Sequence, residues 1–78
     1  MKLLLIDDFL DFTAEELLVD RREVSADMPF REIRTWSSLN ALVFISRISD
    51  EMNVLVSSSD LARCTTLKDI YELIKAAE

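Results

Sequence analysis

The chain has 78 residues, half of them apolar and 31% charged, with a formal net charge of −6. A chain this short buries only about 60% of the surface its unfolded form exposes, so one domain spanning residues 1–78, with one modest core, is expected. The absence of histidine and glycine removes the commonest general base, most metal sites and every glycine-built phosphate loop, which argues against independent catalysis. The acidic balance argues against a nucleic-acid partner, because phosphate binding needs a basic face.

Met1 to Ile6 opens like a signal peptide, but Asp7 and Asp8 cut the apolar run short of an h-region. A cytoplasmic protein with no membrane insertion is therefore expected. The first apolar segment spans roughly Lys2 to Leu18, with Leu3, Ile6, Phe9, Leu10, Phe12 and Leu17 at mainly helical spacing. Thr13-Ala14-Glu15-Glu16 reads as a capping box inside it, so the segment is either one helix or two short ones. Its acidic residues Asp7, Asp8, Asp11, Glu15 and Glu16 read as a solvated face, since nothing in the pattern fixes a metal geometry.

From Val19 to Thr35 the periodicity dissolves, and Val24, Met28, Pro29, Phe30 and Ile33 predict a long ordered loop pinned by a few buried side chains. Loops of this length are commonly functional. A second helix is predicted from Ser37 or Ser38 to about Met52, with Leu39, Leu42, Ile45, Ile48 and Met52 as its apolar stripe. That stripe outlasts a strand reading of Val43 to Ile48. Asn53 suits a left-handed C-cap. Ser57 with Asp60 predicts a one- or two-turn helix ending near Cys64, and Thr66 with Asp69 opens a last helix carrying Leu67, Ile70, Tyr71 and Ile74. Cys64 has no second cysteine to pair with and reads as a small core residue. Trp36 either anchors the loop to the second helix or belongs to a surface that partners touch, and Val43 is either core or an exposed apolar contact.

A serine at a helix start is by itself an ordinary N-cap. The surrounding spacing is more specific: Phe30-Arg31-Glu32-Ile33, then Trp36-Ser37-Ser38-Leu39, an apolar helix, Val56-Ser57, Thr65-Thr66-Leu67 and Ile70-Tyr71-Glu72-Leu73-Ile74. From about Val24 onward this resembles the acyl carrier protein family. The resemblance implies an all-α fold: a small four-helix bundle of acyl-carrier type, with a long loop between helices 1 and 2 and a short third helix. The family signature is Asp-Ser-Leu at the start of the second helix. Ser38, followed by Leu39, falls on the serine that receives 4′-phosphopantetheine from coenzyme A through a phosphodiester, and Ser37 falls on the aspartate.

The resemblance further implies a non-catalytic, monomeric phosphoprotein holding acyl or aminoacyl groups as thioesters in fatty acid, polyketide or other secondary metabolite biosynthesis. Its partners would be a phosphopantetheinyl transferase, an acyl-activating ligase and an acyltransferase or synthase. Ser37, Leu39, Asn40, Val43 and Arg47 are the expected partner contacts. Two departures stand out. Ser37 lacks the charge of the family aspartate, which leaves an unmodified binding module of the same fold as the alternative. The second helix also presents Asn40, Val43, Ser46, Arg47 and Ser49 where family members carry carboxylates, so partners tuned to an acidic helix fit it poorly.

Overall fold

Among the described residues four helices follow in chain order: α1 (Ile6–Glu16), α2 (Ser38–Met52), α3 (Ser58–Ala62) and α4 (Leu67–Ala77), with two 3-10 turns, Arg21–Glu23 and Phe30–Glu32, in the first connection. The computed structural model describes residues 5–77, so the expected helix start near Lys2 and the Leu3 position lie outside the described residues.

α1 is one helix, not two. Thr13, expected as an internal cap, is fully buried and its hydroxyl donates to the Phe9 carbonyl at 2.8 Å. A hydroxyl satisfied by the carbonyl one turn back has no need to interrupt the helix. Phe9, Leu10, Phe12 and Ala14 face the core, and the helix ends in a Schellman motif. The Val19 N–H reaches the Ala14 carbonyl at 3.0 Å and the Leu18 N–H reaches Glu15 at 3.3 Å, with Leu18 left-handed at φ 57°. With no glycine available, a leucine takes that position. On the outer face Asp7 and Asp11 pair with Arg21 at 3.6 and 2.8 Å.

The long connection is ordered as expected. Val24, Phe30 and Ile33 are buried, and backbone bonds stitch the loop to the start of α4: Phe30 N–H to Thr65, Leu67 N–H to Met28 and Lys68 N–H to Ala26. Trp36 meets Phe30 edge-on at 4.9 Å and Phe44 at 6.0 Å between centroids, tying the loop to α2.

α2 has the expected length and the expected left-handed Asn53 C-cap, at φ 55° and ψ 37°. Its expected stripe is wrong in the first two turns. Phe44, Ile48 and Met52 are buried, while Leu39 and Leu42 are 70% and 55% exposed. The early turns are apolar on several sides, and Phe44 fills the core beside Phe9 and Phe12, turning Leu39 and Leu42 outward. Across the second half of α2, Arg47 bonds Glu16 of α1 at 3.2 Å and Glu51 at 2.8 Å.

α3 opens on the expected capping box, with Ser57 accepting from the Asp60 N–H and Asp60 from the Ser57 N–H. Cys64 behind it is buried, and burial pushes its thiol above the usual range. α4 buries Leu67, Ile70 and Ile74 completely and Tyr71 in part, as its spacing predicts. Among the described residues no helix is long and apolar enough to cross a membrane.

Candidate functional site

Ser37 and Ser38 divide two tasks at the start of α2. Ser37 is the N-cap, with extended backbone at φ −156° and ψ 168° and a hydroxyl that accepts the Asn40 N–H at 3.1 Å. Ser38 is the first helical residue, is exposed, and uses its hydroxyl in no hydrogen bond among the described residues. An engaged cap oxygen and a free neighbouring hydroxyl are thus placed side by side. Asn40 is half-buried and its side-chain amide donates to the Thr35 carbonyl at 2.6 Å; Thr35 in turn donates to the Leu17 carbonyl at 2.6 Å. This chain of bonds fixes the loop against the helix start.

The electrostatics of this helix end differ from those of the others. α1 carries Asp7 and Asp8 in its first turn, α3 carries Asp60 and α4 carries Asp69, whereas α2 has no acidic residue there. The first N–H groups of a helix lack intrahelical partners and form the positive end of its dipole. At α4, Asp69 accepts from the Thr65 and Thr66 N–H groups at 2.9 and 3.0 Å, and these bonds hold its carboxyl below the usual range. At α2 that positive end meets no carboxylate of its own first turn.

Beside Ser38 opens a cleft of about 560 Å³ between the start of α2 and α3. Phe30, Trp36, Ala41, Leu42, Leu61 and Ala62 supply its apolar walls, and Ser37, Ser38, Ser58 and Arg31 its polar groups. Leu39, Leu42 and Val43 are exposed on the neighbouring surface.

Residues 7–74 match the family model described as a phosphopantetheine attachment site. The chain belongs to that family. No curated protein matches the chain at a significant level. Phosphopantetheine attachment domains are the sites of covalent 4′-phosphopantetheine attachment, and the local chemistry here fits that group. An accessible hydroxyl is present, the helix end behind it suits a phosphodiester, and the adjoining cleft has room for part of an arm.

The residues expected as partner contacts fall into two groups in this carrier-type domain. Ser37, Leu39 and Val43 are exposed, the first two flanking Ser38 in the chain and Val43 one turn beyond Leu39. Asn40 is tied to the loop, and Arg47 stands farther along the helix with its charge engaged by Glu16 and Glu51. Sequence reasoning misses the place in the cleft of Leu42, which its spacing puts on the core stripe, and of Arg31, which joins the cleft from the loop. The only sequence signal for Arg31 is its place next to the buried Phe30; its other partners are the Leu61 and Cys64 carbonyls, 30 and 33 positions away.

Proposed function

We propose that this protein is a non-catalytic carrier bearing 4′-phosphopantetheine on Ser38, and that acyl or aminoacyl groups ride on the arm as thioesters between partner enzymes. The observation that carries the assignment is the contrast at the start of α2. The Ser37 hydroxyl is held in the cap, while Ser38 offers an exposed, unbonded hydroxyl at a helix end free of first-turn carboxylates.

In this reading the Ser38 oxygen forms the new bond to the phosphorus next to the pantetheine of coenzyme A as the pyrophosphate P–O bond breaks; adenosine 3′,5′-bisphosphate leaves, and the serine proton passes to a base of the phosphopantetheinyl transferase. The loaded arm supplies the thiol that holds the cargo. The protein's own residues orient the arm's root and present an address. Leu39, Leu42 and Val43 form the apolar part of that address, bordered by Ser37, Asn40 and Arg47. An activating ligase and an acyltransferase or synthase are the partners that such a carrier serves.

Intact-mass analysis of the protein isolated from its native source tests the proposal. A population carrying one phosphopantetheine is the expected result. A uniformly unmodified protein, from cells whose other carriers are loaded, would instead support a carrier-fold binding module, the alternative raised by Ser37 in place of the family aspartate.

A further inference from the structure

Five arginines pair with carboxylates: Arg21 with Asp7 and Asp11, Arg22 with Asp20, Arg34 with Glu23, Arg47 with Glu16 and Glu51, and Arg63 with Asp60. Arg31 pairs with none among the described residues, although the chain has 15 acidic residues. It is nevertheless held in place. Its two terminal nitrogens donate to the Cys64 carbonyl at 2.9 Å and the Leu61 carbonyl at 3.3 Å, and its guanidinium lies 4.5 Å from the centre of the Phe30 ring.

Carbonyl bonds position a guanidinium without neutralising it, and two such bonds leave three of its five N–H donors available. Among the described residues Arg31 is also the single charged one lining the cleft that Ser38 lines. The cleft therefore sets an oriented, uncompensated cation against apolar walls, beside the hydroxyl proposed to carry the arm.

Resting on the assignment of the arm to Ser38, we infer that Arg31 is the anion-binding residue of this cleft and holds an oxyanion that the arm itself brings. A guanidinium fork matches a phosphodiester or a carboxylate equally well. The source is either the phosphodiester at the arm's root or a carboxylate on the cargo. Tethering gives either group a high effective concentration at Arg31, so a contact too weak to capture a free ion is populated within the loaded protein. Arg31 is exposed, so the contact is salt-sensitive and is read at low ionic strength.

The test follows the Arg31 side-chain Nε–H resonance through apo protein, protein bearing the free-thiol arm, and protein loaded with butyryl or succinyl arms. Intact mass verifies each form, and Arg63, already paired with Asp60 at 2.6 Å, serves as the reference signal. A displaced Arg31 signal in the free-thiol form, together with a displaced phosphorus resonance in holo Arg31→Gln and partial recovery in Arg31→Lys, identifies the phosphodiester. Displacement by succinyl alone identifies a cargo carboxylate. An Arg31 signal unmoved in every verified form, or moved equally by butyryl and succinyl but not by the free-thiol arm, would overturn the inference. A structural role at the end of α3 would appear as lower melting of apo Arg31→Gln with no movement of the wild-type signal between apo and holo. Failure to form any adduct would instead remove the Ser38 assignment and this inference with it, a result that mass alone separates from the others.

Discussion

The starts of α2 and α4 use the same materials to opposite ends. α4 closes its first turn with Asp69 across the Thr65 and Thr66 N–H groups, and Leu67, Ile70 and Ile74 are driven fully into the core. α2 caps itself with the neutral Ser37 hydroxyl, leaves the Ser38 hydroxyl unbonded and turns Leu39, Leu42 and Val43 toward solvent. A helix that only supports the fold satisfies its polar end and buries its apolar side. The first half of α2 does neither completely, and the unsatisfied groups collect around one serine and one cleft.

The contrast can be broken most severely in the core. Phe44→Ala should cost about 3–5 kcal/mol and Ile70→Ala about 2–5 kcal/mol, as for other buried large side chains, whereas Leu39→Ala should stay within about 0.5 kcal/mol of wild type. Denaturant melts of the three variants compare the two helices directly. A Leu39→Ala loss as large as that of Ile70→Ala would mean that the first half of α2 faces the core after all.

A smaller effect is expected in partner recognition. Val43→Glu and Leu42→Ala should lower transferase kcat/KM roughly tenfold, the scale of one apolar side chain's burial at an interface. Raising salt toward roughly 1 M, where exposed charges are screened beyond about 3 Å, should reduce the wild-type rate much less. A steep loss with salt and indifference to both substitutions would place recognition on the acidic residues elsewhere.

The caps give the next step down. Ser37→Ala should cost about 1 kcal/mol because it strips the hydroxyl bonded to Asn40 N–H, while Ser38→Ala should leave the melting curve nearly unchanged. At the end of α1, Leu18→Gly should stabilise by roughly 0.5–1 kcal/mol by relieving a left-handed leucine. An unaltered or lowered melting temperature would show that Leu18 is tolerated there without strain.

The weakest expected effect is the acid response of the closed helix starts. Backbone bonds from Ser57 hold Asp60, and backbone bonds from Thr66 and Thr65 hold Asp69, below their ordinary pKa of 3.8. Their contribution is full above that value and is lost as pH falls through the lower folded values. Asp69→Asn should therefore flatten the decline in stability below about pH 4. A variant that loses stability with acid as steeply as the wild type would show that Asp69 does not govern this response.

Much of this architecture is legible in the residues themselves. The Ser57 and Asp60 box, the Asn53 cap, the α4 stripe and the loop pinned by Phe30 and Ile33 each depend on local spacing or on a few unmistakable side chains. The facing of α2 is not legible, because Leu39, Leu42, Phe44 and Ile45 offer two apolar faces, and only packing against Phe9 and Phe12 selects between them. Thr13 misleads for a similar reason, since a cap and a back-bonded buried hydroxyl look alike in sequence. Arg31 depends on carbonyls supplied by Leu61 of α3 and by Cys64 just beyond it, both distant in sequence, and no local pattern announces them.

The division of labour between Ser37 and Ser38 is the central claim, and loading of the two alanine variants from coenzyme A by a phosphopantetheinyl transferase tests it most directly. Ser37→Ala should gain one arm, mapped by peptide mass spectrometry to Ser38, and Ser38→Ala should gain none while remaining folded by circular dichroism. An adduct on Ser38→Ala, or one mapped to Ser37 in the wild type, would contradict it.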